Sequence, residues 1–150
     1  MVEVNSTQTE LGERYKLSQQ IGTGVSADVY VATDAVLNRK VAIKVLRPAL
    51  ASDTKFLRLF QTEAQVSAQL NHENVLTIYD WGQAPNVFLV TELLMGGTLH
   101  AILAEHETLG DAQAANVALQ AARGLAAAHG EGLVHRDIKP ANLLLSLIHI

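Results

Sequence analysis

The densest chemistry in the chain lies near its end, in "HRDIKPAN" at positions 135–142. Asp137 supplies a carboxylate that can orient a hydroxyl, Lys139 a cation that can neutralise phosphate charge, and Asn142 an amide oxygen that can hold a magnesium ion. Together they suit transfer of a phosphoryl group to a hydroxyl. The fixed letters His135, Arg136, Asp137 and Asn142 would coincide by chance in roughly one chain in a thousand of this size at average composition. His72, His106 and His129 have no such company and read as surface or structural residues.

Two further groups could meet that chemistry. In "VAIKV" (41–45), Val41, Ile43 and Val45 point one way and Ala42 and Lys44 the other. A lysine there reads either as an edge residue snorkelling to water or as one partner of a pair. Glu63 favours the pair, because it falls within the apolar stripe of a helix, where an unpaired carboxylate is costly to bury. In "IGTGVSADVY" (21–30), Gly22 and Gly24 allow backbone N–H groups to approach phosphate oxygens closely. Paired glycines are also plain turn residues. A dinucleotide-binding fingerprint needs a helix directly after the glycines, whereas "DVYVATD" alternates like a strand, so that reading fails.

The elements that must position these groups follow from periodicity. "YKLSQQIG", "ADVYVATD", "KVAIKVL", "VLTIYDW" and "NVFLVTE" are short runs rich in Val, Ile, Tyr and Phe, with "QAPN" as a turn between the last two. They predict five antiparallel strands. Between the third and fourth, "SDTKFLRLFQTEAQVSAQL" places Phe56, Phe60, Glu63, Ser67 and Leu70 at helical spacing, with Ser52 or Asp53 as the cap. Beyond a divide near Leu94–Gly97, "GGTLHAILAEH" predicts a short helix. "DAQAANVALQAARGLAAAHG" predicts a long one, capped by Asp111 and ending near Gly130.

Composition bounds the rest. A chain of 150 residues, 49% hydrophobic and 17% charged, suits a globular domain or part of one. A net charge of -4 argues against a nucleic-acid partner, and the absence of cysteine removes disulfides and zinc knuckles. The acid-bearing N-terminus is not a secretory signal, and no stretch approaches the length needed to cross a bilayer. A cytoplasmic location is expected, and dimerisation stays open.

Glycine turn, strand lysine, helix glutamate and "HRDIKPAN", in that order, resemble a eukaryotic-type protein kinase. "RKVAIKVLRP" and "LVHRDIKPANLL" are most similar to bacterial serine/threonine kinases, and the resemblance runs from about Tyr15 to Leu144. It implies an α+β, protein-kinase-like fold: a five-stranded antiparallel small lobe with one helix, then the first helices of a helical large lobe. It implies ATP and magnesium as cofactors and proteins as substrates. On this pattern Ile21, Gly22, Thr23 and Gly24 belong to the phosphate loop, and Ala27 stands where a third glycine is usual. Val29 and Ala42 roof the adenine, with Leu144 as its floor. Lys44 holds the α- and β-phosphates, braced by Glu63. Thr91 is the gatekeeper, and the Glu92 carbonyl and Leu94 amide meet the adenine edge. Asp137 is the catalytic base, Lys139 the γ-phosphate contact and Asn142 a magnesium ligand. Arg136 would receive a phosphorylated activation loop.

The family pattern continues to an Asp-Phe-Gly whose aspartate holds the main magnesium, and the sequence stops before it. Residues 145–150, Leu-Ser-Leu-Ile-His-Ile, coincide letter for letter with the in-frame translation of the transposase adapter used in short-read library preparation. The reading frame is therefore expected to pass from family sequence into adapter. Leu145 and Ser146 suit either origin, and Ile148–Ile150 are expected to carry no function. The resulting organisation is a flexible segment at 1–14, a small lobe with hinge at 15–94, a partial large lobe at 95–144 and a non-native tail at 145–150. The chain as written is expected to be inactive. The competing reading is a kinase-like nucleotide-binding module that regulates without catalysis.

Overall fold

The computed structural model describes residues 10–83 and 86–146, with the side chains of Glu10, Leu59, Glu63 and Val66 outside that description. The described chain forms two compact units. One holds the residues up to Gln69 together with Thr77–Leu93; the other holds Leu70–Leu76 and the residues from Leu94 onward.

The first unit is built on an antiparallel sheet. Its strands are β1 (Glu10–Leu11), β2 (Tyr15–Thr23), β3 (Ala27–Asp34), β4 (Arg39–Leu46), β5 (Ile78–Gly82) and β6 (Phe88–Thr91), in the order β1-β2-β3-β4-β6-β5. The five strands expected from alternation are all present, and β1 extends their edge. Alternation becomes two faces because opposed residues share a side: Ala32 faces Val41, Tyr30 faces Ile43, and Ile43 faces Val90. Ala32, Val41, Ile43 and Val90 are fully buried on that side, joined by Leu11, Tyr15 and Phe88. The Tyr15 and Phe88 rings meet edge to face with centroids 5.9 Å apart.

Of the segment expected to be flexible through residue 14, the described residues 10–14 are tied to this core. Leu11 is 3% exposed, and Arg14 binds two carboxylates at once. Its Nε and Nη2 donate to the two oxygens of Asp34 at 3.0 and 2.8 Å, and its Nη1 donates to Asp80 Oδ2 at 3.1 Å. The Tyr15 hydroxyl donates to the same Asp80 oxygen at 2.8 Å. Asp34, 1% exposed, also accepts the amides of Val36 and Leu37 and so shapes the β3–β4 turn. The Arg14 guanidinium and those two amides hold the Asp34 carboxyl down to about 2. Burial, with the Asp80 hydrogen bond second, pushes the Tyr15 hydroxyl well above its ordinary range. Residues 1–9 lie outside the described residues, as do Ala84 and Pro85 of the expected "QAPN" turn.

A short helix α1 (Pro48–Ala51), not anticipated from the sequence, precedes α2 (Thr54–Gln69). Asp53 caps α2 by accepting the amides of Lys55 and Phe56 at 2.9 and 3.1 Å, while Ser52 donates to Ala49 O instead. Ala64 is buried and Phe56 and Phe60 are half-buried on α2, which lies against β5. Leu70, expected to share that stripe, falls past the helix end and belongs to the second unit.

The second unit contains α3 (Leu99–His106) and α4 (Asp111–Gly130). Thr98 caps α3 by accepting the Ala101 amide at 3.1 Å. Asp111 is not the cap of α4. Gly110 occupies that position and its amide donates to Gln113 Oε1 at 3.3 Å, leaving Asp111 in the first turn, where its charge suits the helix dipole. Residues 70–76 belong here because α4 holds them. Asn74 Nδ2 donates to Gln120 Oε1 at 3.2 Å, and Gly124 lies so close to the Asn74 carbonyl that a side chain has no room. The small lobe expected over 15–94 is therefore interrupted. No described helix is long and apolar enough to cross a membrane.

Replacing Asp34 by Asn should lower the thermal midpoint by several degrees at pH 7, because the half-exposed fork of Arg14 loses its buried anionic partner. The Asp34 carboxyl is depressed on folding, so its contribution is fully present above its unfolded value near 3.8 and is lost as pH falls toward about 2. Circular-dichroism melts of both proteins should show the gap between them closing below about pH 4.

Candidate active site

Register sets out the candidate residues of the first unit. Gly22 opposes Val29, Val29 opposes Lys44, and Lys44 opposes Leu89, so these four share one row across β2, β3, β4 and β6. Ala42 opposes Thr91 in the neighbouring row on the same side. This is the face away from the buried Val41 and Ile43. Lys44 is exposed on it, Ala42 and Thr91 are buried, and Val29 is half-buried. The two faces of one strand thus divide the labour: one makes the core, the other presents a lysine. Glu63 lies on α2, but its side chain is outside the described residues, and with it the expected Lys44–Glu63 pair.

The glycines sit where β2 turns into β3. Gly22 and Thr23 are still paired in the ladder, and Gly24 N–H donates to Ala27 O at 2.9 Å to close the turn. Ala27, at the third-glycine position, is buried in the start of β3, so its methyl is accommodated. Ile21 is exposed and Val25, at the tip, is 97% exposed. Among the described residues none accepts the amides of Val25 or Ser26, leaving N–H groups of the kind a phosphate oxygen can take. At the far end of the sheet, Thr77 grips Glu92 twice. Glu92 N–H donates to Thr77 O at 3.0 Å, and Thr77 N–H donates to Glu92 Oε1 at 2.7 Å. The Glu92 carbonyl accepts the Thr91 hydroxyl at 3.0 Å and keeps a second lone pair. Leu94, half-buried, opens the second unit.

The candidate residues of the second unit lie on a tightly wound loop. Arg136 takes a positive φ of 63°, which reverses the chain just before Asp137. The Asp137 amide donates to His135 Nδ1 at 3.2 Å. Asp137 Oδ2 then receives Lys139 Nζ at 2.9 Å and Asn142 Nδ2 at 3.0 Å, and Asn142 Nδ2 also reaches the Asp137 carbonyl at 2.8 Å. A 3-10 turn, Pro140–Asn142, folds the chain back far enough for that return. Lys139, with Asn142 second, holds the Asp137 carboxyl below its ordinary value despite some burial. Asp137 is therefore ionised at neutral pH and weakly basic, better fitted to orienting a hydroxyl than to removing its proton beforehand. The loop is tied down at its exit. Leu99 N–H donates to Leu143 O and Leu145 N–H to Gly97 O, around a bridge between Thr98 and Leu144. Leu144 is 41% exposed there.

Asn142 fits one magnesium ligand. Its amide nitrogen is committed to Asp137, so its oxygen remains as a hard donor. Among the described residues no group of three or more His, Cys, Asp or Glu side chains could hold a metal ion. Sequence reasoning missed Arg47, which reaches the glycine turn, and gave His135 no role. An exposed arginine after a strand carries no periodic signal, and His135 acts through a local bond to backbone.

The protein kinase domain model matches residues 15–149. The serine/threonine-protein kinase PrkC of Bacillus subtilis is 41% identical over 133 residues, covering 88% of this chain and 20% of its own length. The serine/threonine-protein kinase PknB of Mycobacterium leprae is 38% identical over 146 residues, covering 94% of this chain and 24% of its own. PknA of Mycobacterium tuberculosis, also a serine/threonine-protein kinase, is 37% identical over 142 residues, covering 91% and 33%. The chain thus spans between a fifth and a third of the length of these relatives.

Removing the ammonium in Lys139→Ala should raise the Asp137 titration toward the ordinary value of 3.8, because the largest influence depressing it is lost. A carboxyl-carbon NMR titration reads this directly. An unmoved Asp137 would mean that the two side chains do not pair in solution.

Proposed function

The chain belongs to the protein kinase domain family, and from that premise we propose that it transfers the γ-phosphate of ATP to a serine or threonine hydroxyl of a protein substrate. The observation that carries this reading is the convergence of Lys139 and Asn142 on one oxygen of Asp137. A carboxylate held by two donors keeps its remaining oxygen in a set direction, as a hydroxyl nucleophile requires. Lys139 serves twice in this scheme: it orients Asp137, and its charge offsets the phosphoryl group as that group leaves the nucleotide. The lysine between Asp137 and Asn142 is also what favours a serine/threonine acceptor.

On the sheet, Lys44 binds the α- and β-phosphates and Glu63 braces it, while the loop of Ile21, Gly22, Thr23 and Gly24 covers the phosphates and brings the Val25 and Ser26 amides to them. Val29 and Ala42 roof the adenine, Leu144 forms its floor, and the Glu92 carbonyl and Leu94 amide take its polar edge with Thr91 behind. Asn142 holds magnesium, which when bound offsets the negative charge of the phosphates. In this scheme the chain's side chains bind, orient and neutralise, and Asp137 receives the hydroxyl proton late, once transfer has made it acidic. We place the domain in the cytoplasm, where ATP is supplied.

Two substitutions test the assignment in the full-length protein with MgATP. Asp137→Asn should cut phosphate transfer by roughly 10²–10⁴-fold while nucleotide affinity stays within about twofold, because the carboxylate acts on the acceptor. Lys44→Ala should lose about 10²-fold or more in transfer by misplacing the phosphates. Paired nucleotide-binding and phosphotransfer assays check both. Undiminished transfer in either variant would sink that role.

A further inference from the structure

The glycine turn has little to hold it. Val25 at its tip is almost wholly exposed, so no apolar burial fixes the tip, and one backbone bond, Gly24 N–H to Ala27 O, closes the turn from within. A further hold comes from outside the hairpin. Arg47, the residue after β4, donates its backbone N–H to Ser26 O at 2.9 Å. Its Nη2 donates to Thr23 Oγ1 at 3.2 Å and to Asp28 Oδ1 at 3.3 Å, and Thr23 Oγ1 donates to the same Asp28 oxygen at 2.6 Å. Thr23 and Asp28 are the last opposed pair of the β2–β3 ladder, so one guanidinium spans both strands where they open into the turn.

Arg47 is itself anchored. Its carbonyl accepts the amides of Leu50 and Ala51 at 3.0 Å each, and Pro48 follows it at the start of α1. We propose that Arg47 is a positioning residue that pre-sets the Thr23–Ala27 turn for the phosphates of a nucleotide; this rests on the nucleotide-binding part of the function proposed above. Two physical effects work together. A turn already held in one shape loses less conformational freedom when a ligand arrives. The guanidinium also offsets the Asp28 carboxylate, which would otherwise repel a triphosphate approaching the same turn. As a half-exposed ion pair, the contact adds little to global stability, which separates a local role from a structural one.

The test uses the full-length protein with Arg47→Ala and Arg47→Lys, read in two ways. Hydrogen exchange should speed up roughly threefold to tenfold at the amides of 23–27 in Arg47→Ala, as expected for one or two lost hydrogen bonds, with β4 and β6 unchanged. The KM for ATP should rise by a similar factor while kcat stays within about twofold, and Arg47→Lys should recover part of both effects because its charge remains. Unchanged exchange at 23–27 overturns the proposal, as does acceleration spread over the whole sheet or a loss confined to kcat. If the wild-type protein transfers no phosphate, the exchange measurement with and without MgATP decides: the proposal survives only if nucleotide slows exchange at 23–27 less in Arg47→Ala.

Discussion

Everything in the first unit depends on the antiparallel register between β3, β4 and β6. Because side chains alternate strictly, one residue of slip would carry Lys44 into the core and Val45 out to the opposite face. The register is held by a buried face and by a turn. Ala32, Val41, Ile43 and Val90 are wholly buried on one side and tolerate no polar replacement, while Asp34 closes the β3–β4 turn by accepting the amides of Val36 and Leu37. The lysine is placed by the residues behind it. Val41 and Ile43 touch no substrate in the proposed scheme, yet they decide which way Lys44 points.

The loop that carries Asp137 solves its positioning problem by other means. It has almost no buried surface, so packing cannot fix it; short-range hydrogen bonds and one unusual backbone angle do so instead. The positive φ at Arg136 turns the chain, His135 accepts the Asp137 amide, and Asn142 returns to the backbone and side chain of the same residue. Such a loop is compact but shallow. Its shape persists only while its exit, Leu143–Leu145, stays paired with Gly97–Leu99. Gly96 permits that pairing, since a side chain there would collide with the Leu145 carbonyl.

Period-two alternation made the five main strands readable, and with them the outward direction of Lys44. The compact spacing of "HRDIKPAN" made the loop readable, because its partners are neighbours in sequence. Much of what escaped has one cause: its partners lie far apart. Arg14 pairs with Asp34 and Asp80, 20 and 66 positions away, and neither strand pattern records that a charged residue is buried. For the same reason the polar opening segment looked flexible through residue 14, although residues 10–14 are held to the sheet by Leu11 and Arg14. Asp111 looked like a cap because acids favour helix starts generally, and only backbone geometry separates the cap from the first turn. The adenine-facing roles and the Lys44–Glu63 bracing are implied by the resemblance alone. Periodicity alone reached no further than an exposed lysine and an oddly placed acid.

The chain visits the second unit early, at Leu70–Leu76, returns to the sheet for β5 and β6, and then leaves it at Leu94. During synthesis, Asn74 emerges long before Gln120 and Gly124, the residues that later receive it. Neither unit can thus be finished in order of translation. The earlier one must fold with a foreign loop hanging from it, and the later one closes around a loop already made. A cut at Leu93 would orphan that loop, so the two units are compact in space but not separable as pieces of gene.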